Sequence, residues 1–265
     1  MTRLHYDVRG NGPVLLIIPG GAGHPMGLDA MTDHLTDHFT VVTYDPLGLA
    51  HGRLGLPVGE QRVDAWSEGA RRVLDEVLPD GESAYAFGMS SGGIAALDLL
   101  ARHPGRLRHV VAHEPPVVEV LPDAARQRAM FTEVHETYRR AGLQAAGARL
   151  AAGLEESDPV PMEGRPPSAE EESAVPMAVF LTRVLLPFSS YVPDLTALKS
   201  SPLTLAAGIG SRGGLLHRTA SLTAELTDTR FAEFPGGHIG ALEHPREFVA
   251  RLLQALREPS ARLST

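Results

Sequence analysis

Phe87-Gly88-Met89-Ser90-Ser91-Gly92-Gly93-Ile94 is the stretch whose reading decides the fold. An apolar run from Ser83 to Phe87 leads into it, and a helix-like run from Ser91 to Arg102 leaves it, stopping before Pro104. A serine in Gly-x-Ser-x-Gly between a strand and a helix is the pattern of a nucleophile carried on a sharp turn. In so tight a turn a side chain at Gly88 or Gly92 would strike neighbouring backbone, which accounts for both glycines. Ser90 is then expected at the apex, strained and presented at the carboxyl end of its strand. The positive end of the following helix points at the reacting atom. Alone, the pentapeptide also suits an ordinary glycine-serine turn, so the rest of the chain must supply its context.

Working outward, apolar runs alternate with amphipathic ones. Val14-Leu15-Leu16-Ile17-Ile18 is apolar throughout, as in a strand covered on both faces, and ends in the glycine-rich loop Pro19 to His24. Ahead of it, Leu4 to Val8 alternates and meets Gly10-Asn11-Gly12-Pro13, which reads as a hairpin. Met26 to Phe39 reads as a helix, Thr40 to Tyr44 as a strand, and Glu60 to Leu78 as a helix with Trp66 on its buried stripe. Leu107 to Ala112 is a further buried strand, ending in His113-Glu114-Pro115-Pro116. The alternation then stops. Asp123 to Leu154 reads as one long helix or two, Glu155 to Glu172 as a mobile acidic linker rich in proline, and Ala169 to Phe188 as a helix interrupted at Pro176. Alternation resumes with strands at Leu203 to Ala207 and Arg230 to Phe234 and a last helix from Glu243 to Arg257. The expected fold class is α/β: a mostly parallel central sheet flanked by helices, with a helical insertion after the sixth strand. The core would comprise residues 1–116 and 201–265, and the insertion 117–200.

The whole chain narrows the function. Its 265 residues suffice for a sizeable core, and it has no cysteine, hence no disulfide, thiolate nucleophile or thiolate metal site. A formal charge of −8 without a basic patch argues against nucleic acid as a partner. No apolar run reaches membrane-spanning length, and the start lacks the plan of a secretory signal, so a cytoplasmic location away from membranes is expected. His34 and His38 have a chelating spacing but no evident third ligand, and the glycine-rich segment 208–214 lacks a Gly-Lys-Ser/Thr ending; no metal or cofactor is implied.

A serine hydroxyl is a poor nucleophile at neutral pH and needs a base and donors for the developing oxyanion. Of twelve histidines, His238 is singled out by place: it follows the last strand across Pro235-Gly236-Gly237 and precedes the last helix, at the same sheet edge as Ser90. The candidate donors are the backbone amides of Ser91 and of Gly21, whose loop has no Cβ to hold substrate off. The third member is an acid. No Asp or Glu occurs between Leu195 and Ala224, so the loop after that strand offers none, whereas the preceding strand ends in Glu114. Glu114 is expected to orient His238; a Ser–His dyad with water or a carbonyl as third member is the alternative. Arg212 is read as a solvated loop residue, His24, His51 and His113 as neighbours of the mouth without assigned chemistry. The apolar residues Met177, Val179, Phe180, Val184, Leu185, Leu186 and Phe188 are expected either to face substrate or to pack the insertion.

With these residues in view, the chain resembles the α/β-hydrolase fold superfamily over nearly its full length. The likeness rests on Gly88 to Gly92, on Ile18-Pro19-Gly20-Gly21, on Tyr44 to Gly52 and on Phe234 to His238. Two departures stand out: Pro19 where the family often has histidine, and Leu47 where it often has arginine. An acid displaced onto the preceding strand is similar to the arrangement in haloalkane dehalogenases and some lipases. The resemblance implies that the helical insertion is a cap over the site. It also implies a serine esterase acting on an ester, thioester or lactone of a small hydrophobic molecule. The alternative it leaves open is a non-hydrolytic cyclase, lyase or small-molecule receptor. The expected partner is a small-molecule substrate; a homodimer is compatible with the chain.

Overall fold

A computed structural model describes residues 4–22, 28–48, 58–158 and 162–257. Seven strands form one sheet in the order β1-β3-β2-β4-β5-β6-β7: β1 (Tyr6–Gly10), β2 (Val14–Ile18), β3 (Thr40–Tyr44), β4 (Ala84–Met89), β5 (Leu107–His113), β6 (Leu203–Gly208) and β7 (Arg230–Phe234). Every pairing is parallel except β1 with β3. The period of two in β2 explains the layering. Leu16 and Ile18 join Trp66, Leu74 and Ile94 on one face, and Leu15 and Ile17 join Met31, Phe248 and Leu252 on the other. The first face is covered by α2 (Val63–Val77) and α3 (Ser91–Arg102), the second by α1 (Asp29–Leu35) and, later in the chain, the helix Pro245–Arg257. Each fully buried aliphatic or aromatic side chain in these layers contributes about 1.5–3 kcal/mol of transfer free energy.

The N-terminal hairpin expected from Gly10 to Pro13 is not formed. The turn itself exists, with Gly10 at φ 85° and Gly12 at φ 126°, but β1 pairs antiparallel with β3. The reason lies in β2, which is buried on both faces and uses both edges for parallel partners, β3 and β4. The exposed strand β1 is left to the sheet border, where a polar strand is tolerated.

The helical insertion leaves the sheet after β5, the fifth strand in chain order, and not after a sixth: among the described residues nothing ahead of β1 adds a strand. It begins with α4 (Ala124–Leu154), broken at Gly142, whose φ of 80° and ψ of −170° are not helical. The halves fold back on each other. Arg149 pairs with Glu133 at 2.8 Å, and Gln127 reaches Glu156 at 3.3 Å. The sequence left one helix or two open; Gly142 makes it two. The acidic stretch is not a free linker where described. A Cβ on Gly142 would lie 2.9 Å from the Arg165 carbonyl oxygen, and one on Gly164 would meet the Ala141 backbone, so Gly164 and Arg165 lie against the break. Ser168 then opens α5 (Ala169–Ala174) with a reciprocal capping box to Glu171. Pro176 starts α6 (Pro176–Val179), followed by a π-turn, Phe180–Val184, then α7 (Leu185–Ser189) and α8 (Leu195–Leu198). Polar contacts tie the insertion to the core, among them the Gln61 N–H donating to the Arg183 carbonyl at 2.9 Å. Arg218 of α9 (Leu215–Thr227) reaches Asp123 at 2.7 Å and Glu156 at 2.6 Å. Tyr191 donates to Asp98 of α3 at 3.1 Å. A short α10 (Gly240–Glu243) precedes α11, the helix Pro245–Arg257. Among the described residues no helix is long and apolar enough to cross a membrane.

Candidate active site

Ser90 stands between β4 and α3 at φ 53° and ψ −124°, a conformation costing of order 1–3 kcal/mol for a residue with a side chain. The fold holds it there. Its N–H donates to the His113 carbonyl at 2.9 Å, and its carbonyl accepts from Ile94 at 3.2 Å. Gly88 and Gly92 are packed so that a Cβ on Gly88 would overlap the Gly92 carbonyl, and one on Gly92 would overlap the carbonyls of Ile18 and Pro19. The turn therefore fits only glycine at those places.

Glu114 follows β5, and its φ of 48° is a second strained non-glycine position. Backbone and side chain are both committed. Its N–H donates to the Ala206 carbonyl at 2.8 Å, Oε1 accepts from the Gly208 N–H at 2.8 Å, and Oε2 lies 2.8 Å from His238 Nδ1. The carboxyl is fully buried. Burial alone would raise its pKa. The His238 hydrogen bond, the charges of His113 and His238 and a hydrogen bond with Ser211 outweigh that effect and hold it down at about 2. His238 comes from the loop after β7, whose Gly236 has φ 75°. That loop locks onto the one after β6: Gly210 donates to the Gly236 carbonyl at 2.7 Å. An ionised carboxylate only accepts, so the Nδ1 of His238 carries the proton and a neutral ring keeps its lone pair on Nε2.

Ser90 and His238 line one cavity of about 180 Å³. Among the described residues no hydrogen bond joins the Ser90 hydroxyl to His238; the two share the cavity wall. Its walls are mostly apolar. Met177, Phe180, Leu185 and Phe188 from the insertion face it, whereas Val179 and Val184 pack into the core layer and Leu186 into the insertion's own cluster. The two roles left open for this group are thus divided between its members. Phe131, Leu150, Leu154 and Leu216 also line the cavity. Sequence reasoning missed them because their helical stripes read as packing.

Gly20, Gly21 and Ser91 complete the wall beside Ser90. Ser91 is the first residue of α3, where an amide has no acceptor within its own helix. A Cβ on Gly21 would lie 2.5 Å from a Phe180 ring carbon and 2.9 Å from Ser91 Oγ, so a side chain there would have to displace both. His113 does not reach the mouth. It is fully buried against the rings of Phe234 and Phe248, and burial lowers its pKa to about 4. Arg212 is engaged by Glu233. His24 and His51 lie outside the described residues. Among the described residues no cluster of three or more His, Asp or Glu is placed to hold a metal ion.

A strained serine at the carboxyl edge of a parallel sheet, facing a cavity under a helical insertion, defines the class: the chain belongs to the α/β-hydrolase fold family and is a hydrolase. The profile of that family, described as alpha/beta hydrolase fold, matches residues 13–155. The chain is 32% identical over 276 residues to the Bacillus subtilis (strain 168) protein named Uncharacterized hydrolase YraK, covering 97% of this chain and 93% of that one. It is 24% identical to the Zearalenone hydrolase of Bionectria ochroleuca, with 96% and 94% covered. Among solved structures it resembles the enol-lactonase from Burkholderia xenovorans LB400, with TM-score 0.62, 18% identity and 96% of each chain covered. It also resembles the carboxylesterase CesB from Bacillus subtilis, with TM-score 0.59, 17% identity and 96% and 87% covered. These structural likenesses concern the fold.

Proposed function

We propose that the chain is a serine hydrolase cleaving a carboxylic ester, thioester or lactone of a small hydrophobic substrate, with Ser90, His238 and Glu114 as triad, and that segment 117–200 caps the site. The observation that carries this reading is the 2.8 Å hydrogen bond from His238 to a fully buried carboxylate, at the cavity that also holds Ser90. Glu114 keeps the Nε2 of His238 free as a base. As the Ser90 Oγ bonds to the acyl carbon, its proton passes to Nε2 and the carbonyl π pair moves onto oxygen. The amides of Gly21 and Ser91 bind that oxyanion. When the pair returns, the bond from the acyl carbon to the alkoxy or thiolate group breaks and Nε2 protonates the departing atom. Water then repeats the sequence on the acyl-enzyme, giving its proton to His238 and releasing the acid and Ser90.

The cavity supports the substrate class. It is small, and the described residues lining it include no Asp, Glu, Lys or Arg, which suits an uncharged apolar acyl group. The names of relatives and neighbours, with a lactonase and a carboxylesterase among them, favour cleavage of acyl–oxygen bonds. Ser90→Ala should abolish hydrolysis of p-nitrophenyl butyrate while leaving the far-UV circular dichroism unchanged; turnover at the wild-type rate contradicts the reading.

A further inference from the structure

Ser91 contributes more to the cavity than its amide. The residue is only 2% exposed, and it lines the cavity together with Ser90 and Gly21. Its hydroxyl makes no hydrogen bond among the described residues. It stands beside the second donor loop, since a Cβ on Gly21 would lie 2.9 Å from the Ser91 Oγ, with the Phe180 ring at the same corner. Serine is not required there for the helix, because Ser91 is the first residue of α3, one place past the N-cap position at which a hydroxyl would cap it. The Oγ itself is not sealed off but open to the cavity, where an acceptor arriving with the substrate can take its hydrogen bond.

We propose that the Ser91 hydroxyl is a third donor to the oxyanion, beside the backbone amides of Gly21 and Ser91. One peptide bond fixes it relative to the nucleophile, and the first turn of α3 fixes that peptide. As the carbonyl π pair moves onto oxygen, the Ser91 O–H donates a hydrogen bond to it and keeps its proton. A hydrogen bond to a full negative charge is about twice as strong as one to a neutral carbonyl, so the interaction favours the transition state over the bound ester. Its loss should therefore fall on kcat and leave KM nearly unchanged. This rests on the serine-hydrolase reading above.

The test is steady-state kinetics of Ser91→Ala with p-nitrophenyl butyrate, together with inhibition by an alkyl trifluoromethyl ketone, which forms a tetrahedral adduct with the nucleophile. The substitution keeps the backbone amide and removes only the hydroxyl. The expected result is a kcat lowered about 10- to 100-fold, a KM within about threefold of wild type, and a ketone inhibition constant raised by a factor similar to the loss in kcat. A kcat within about twofold of wild type, or a change confined to KM, overturns the proposal. Turnover persisting in Ser90→Ala overturns the hydrolase reading beneath it, which is a separate outcome. If Ser91→Ala does not fold, Ser91→Cys, of similar shape and a much weaker donor, is judged by the same criteria.

Discussion

Replacing Glu114 by glutamine isolates the charge and the direction of one hydrogen bond. In the wild type the Gly208 N–H donates to Oε1 and His238 Nδ1 to Oε2, each at 2.8 Å. The glutamine carbonyl oxygen can keep the Gly208 bond. Its NH₂ then faces Nδ1, which must become an acceptor. The ring proton moves to Nε2, and the nitrogen that should take the Ser90 proton already carries one. Buried acid-to-amide exchange in such a relay costs kcat about 10³- to 10⁴-fold, equivalent to about 4–5.5 kcal/mol of transition-state stabilisation. The assay is kcat for p-nitrophenyl butyrate near pH 8, with thermal unfolding as the control for fold. A loss below about tenfold refutes the relay and favours a Ser–His dyad. Stability supplies a second readout. The Glu114 carboxyl is held at about 2, below its ordinary 4.5. A depressed carboxyl contributes stability that is full above the higher value and lost as pH falls toward the lower one. Between pH 4.5 and 2 the wild type should therefore lose roughly 3 kcal/mol that Glu114→Gln does not.

Two other substitutions probe the surroundings. His113 titrates at about 4 in the fold instead of its ordinary 6.5, because burial disfavours the imidazolium. The unfolded chain binds the extra proton first, so folding stability should fall as pH drops from 6.5 to 4. His113→Phe should flatten that slope in urea titrations at pH 7 and 4.5, and an unchanged slope contradicts the assignment. Phe180 presses its ring against Gly21 and lines the cavity. Phe180→Ala should shift the preference from butyrate toward octanoate esters by about tenfold in kcat/KM, and an unaltered chain-length profile removes Phe180 from the specificity wall.

What the sequence could and could not show follows from the range of the forces involved. The elbow was legible because Gly88, Met89, Ser90, Ser91 and Gly92 answer to a steric demand made within five residues. Glu114 was reached by elimination, from the lack of any acid between Leu195 and Ala224. Its distance to His238 depends on two loops meeting across β6, and no local pattern encodes that. The N-terminal turn was legible, but its strand pairing was not, because β2's demand for two buried neighbours is satisfied by strands far along the chain. The insertion was legible as helix. Its break at Gly142 lies against the distant Arg165 backbone, and its apolar residues separate into wall and packing only once the halves of α4 fold together.

The central claim is that Ser90 is a nucleophile activated by His238. Covalent trapping tests it directly: the folded protein is treated with an alkyl fluorophosphonate, digested, and the modified peptide is identified by mass spectrometry. The expected outcome is rapid, stoichiometric addition to the Ser90 hydroxyl, slowed by orders of magnitude in His238→Ala and absent in Ser90→Ala. Addition at another residue, or labelling of Ser90 at an equal rate without His238, would contradict it.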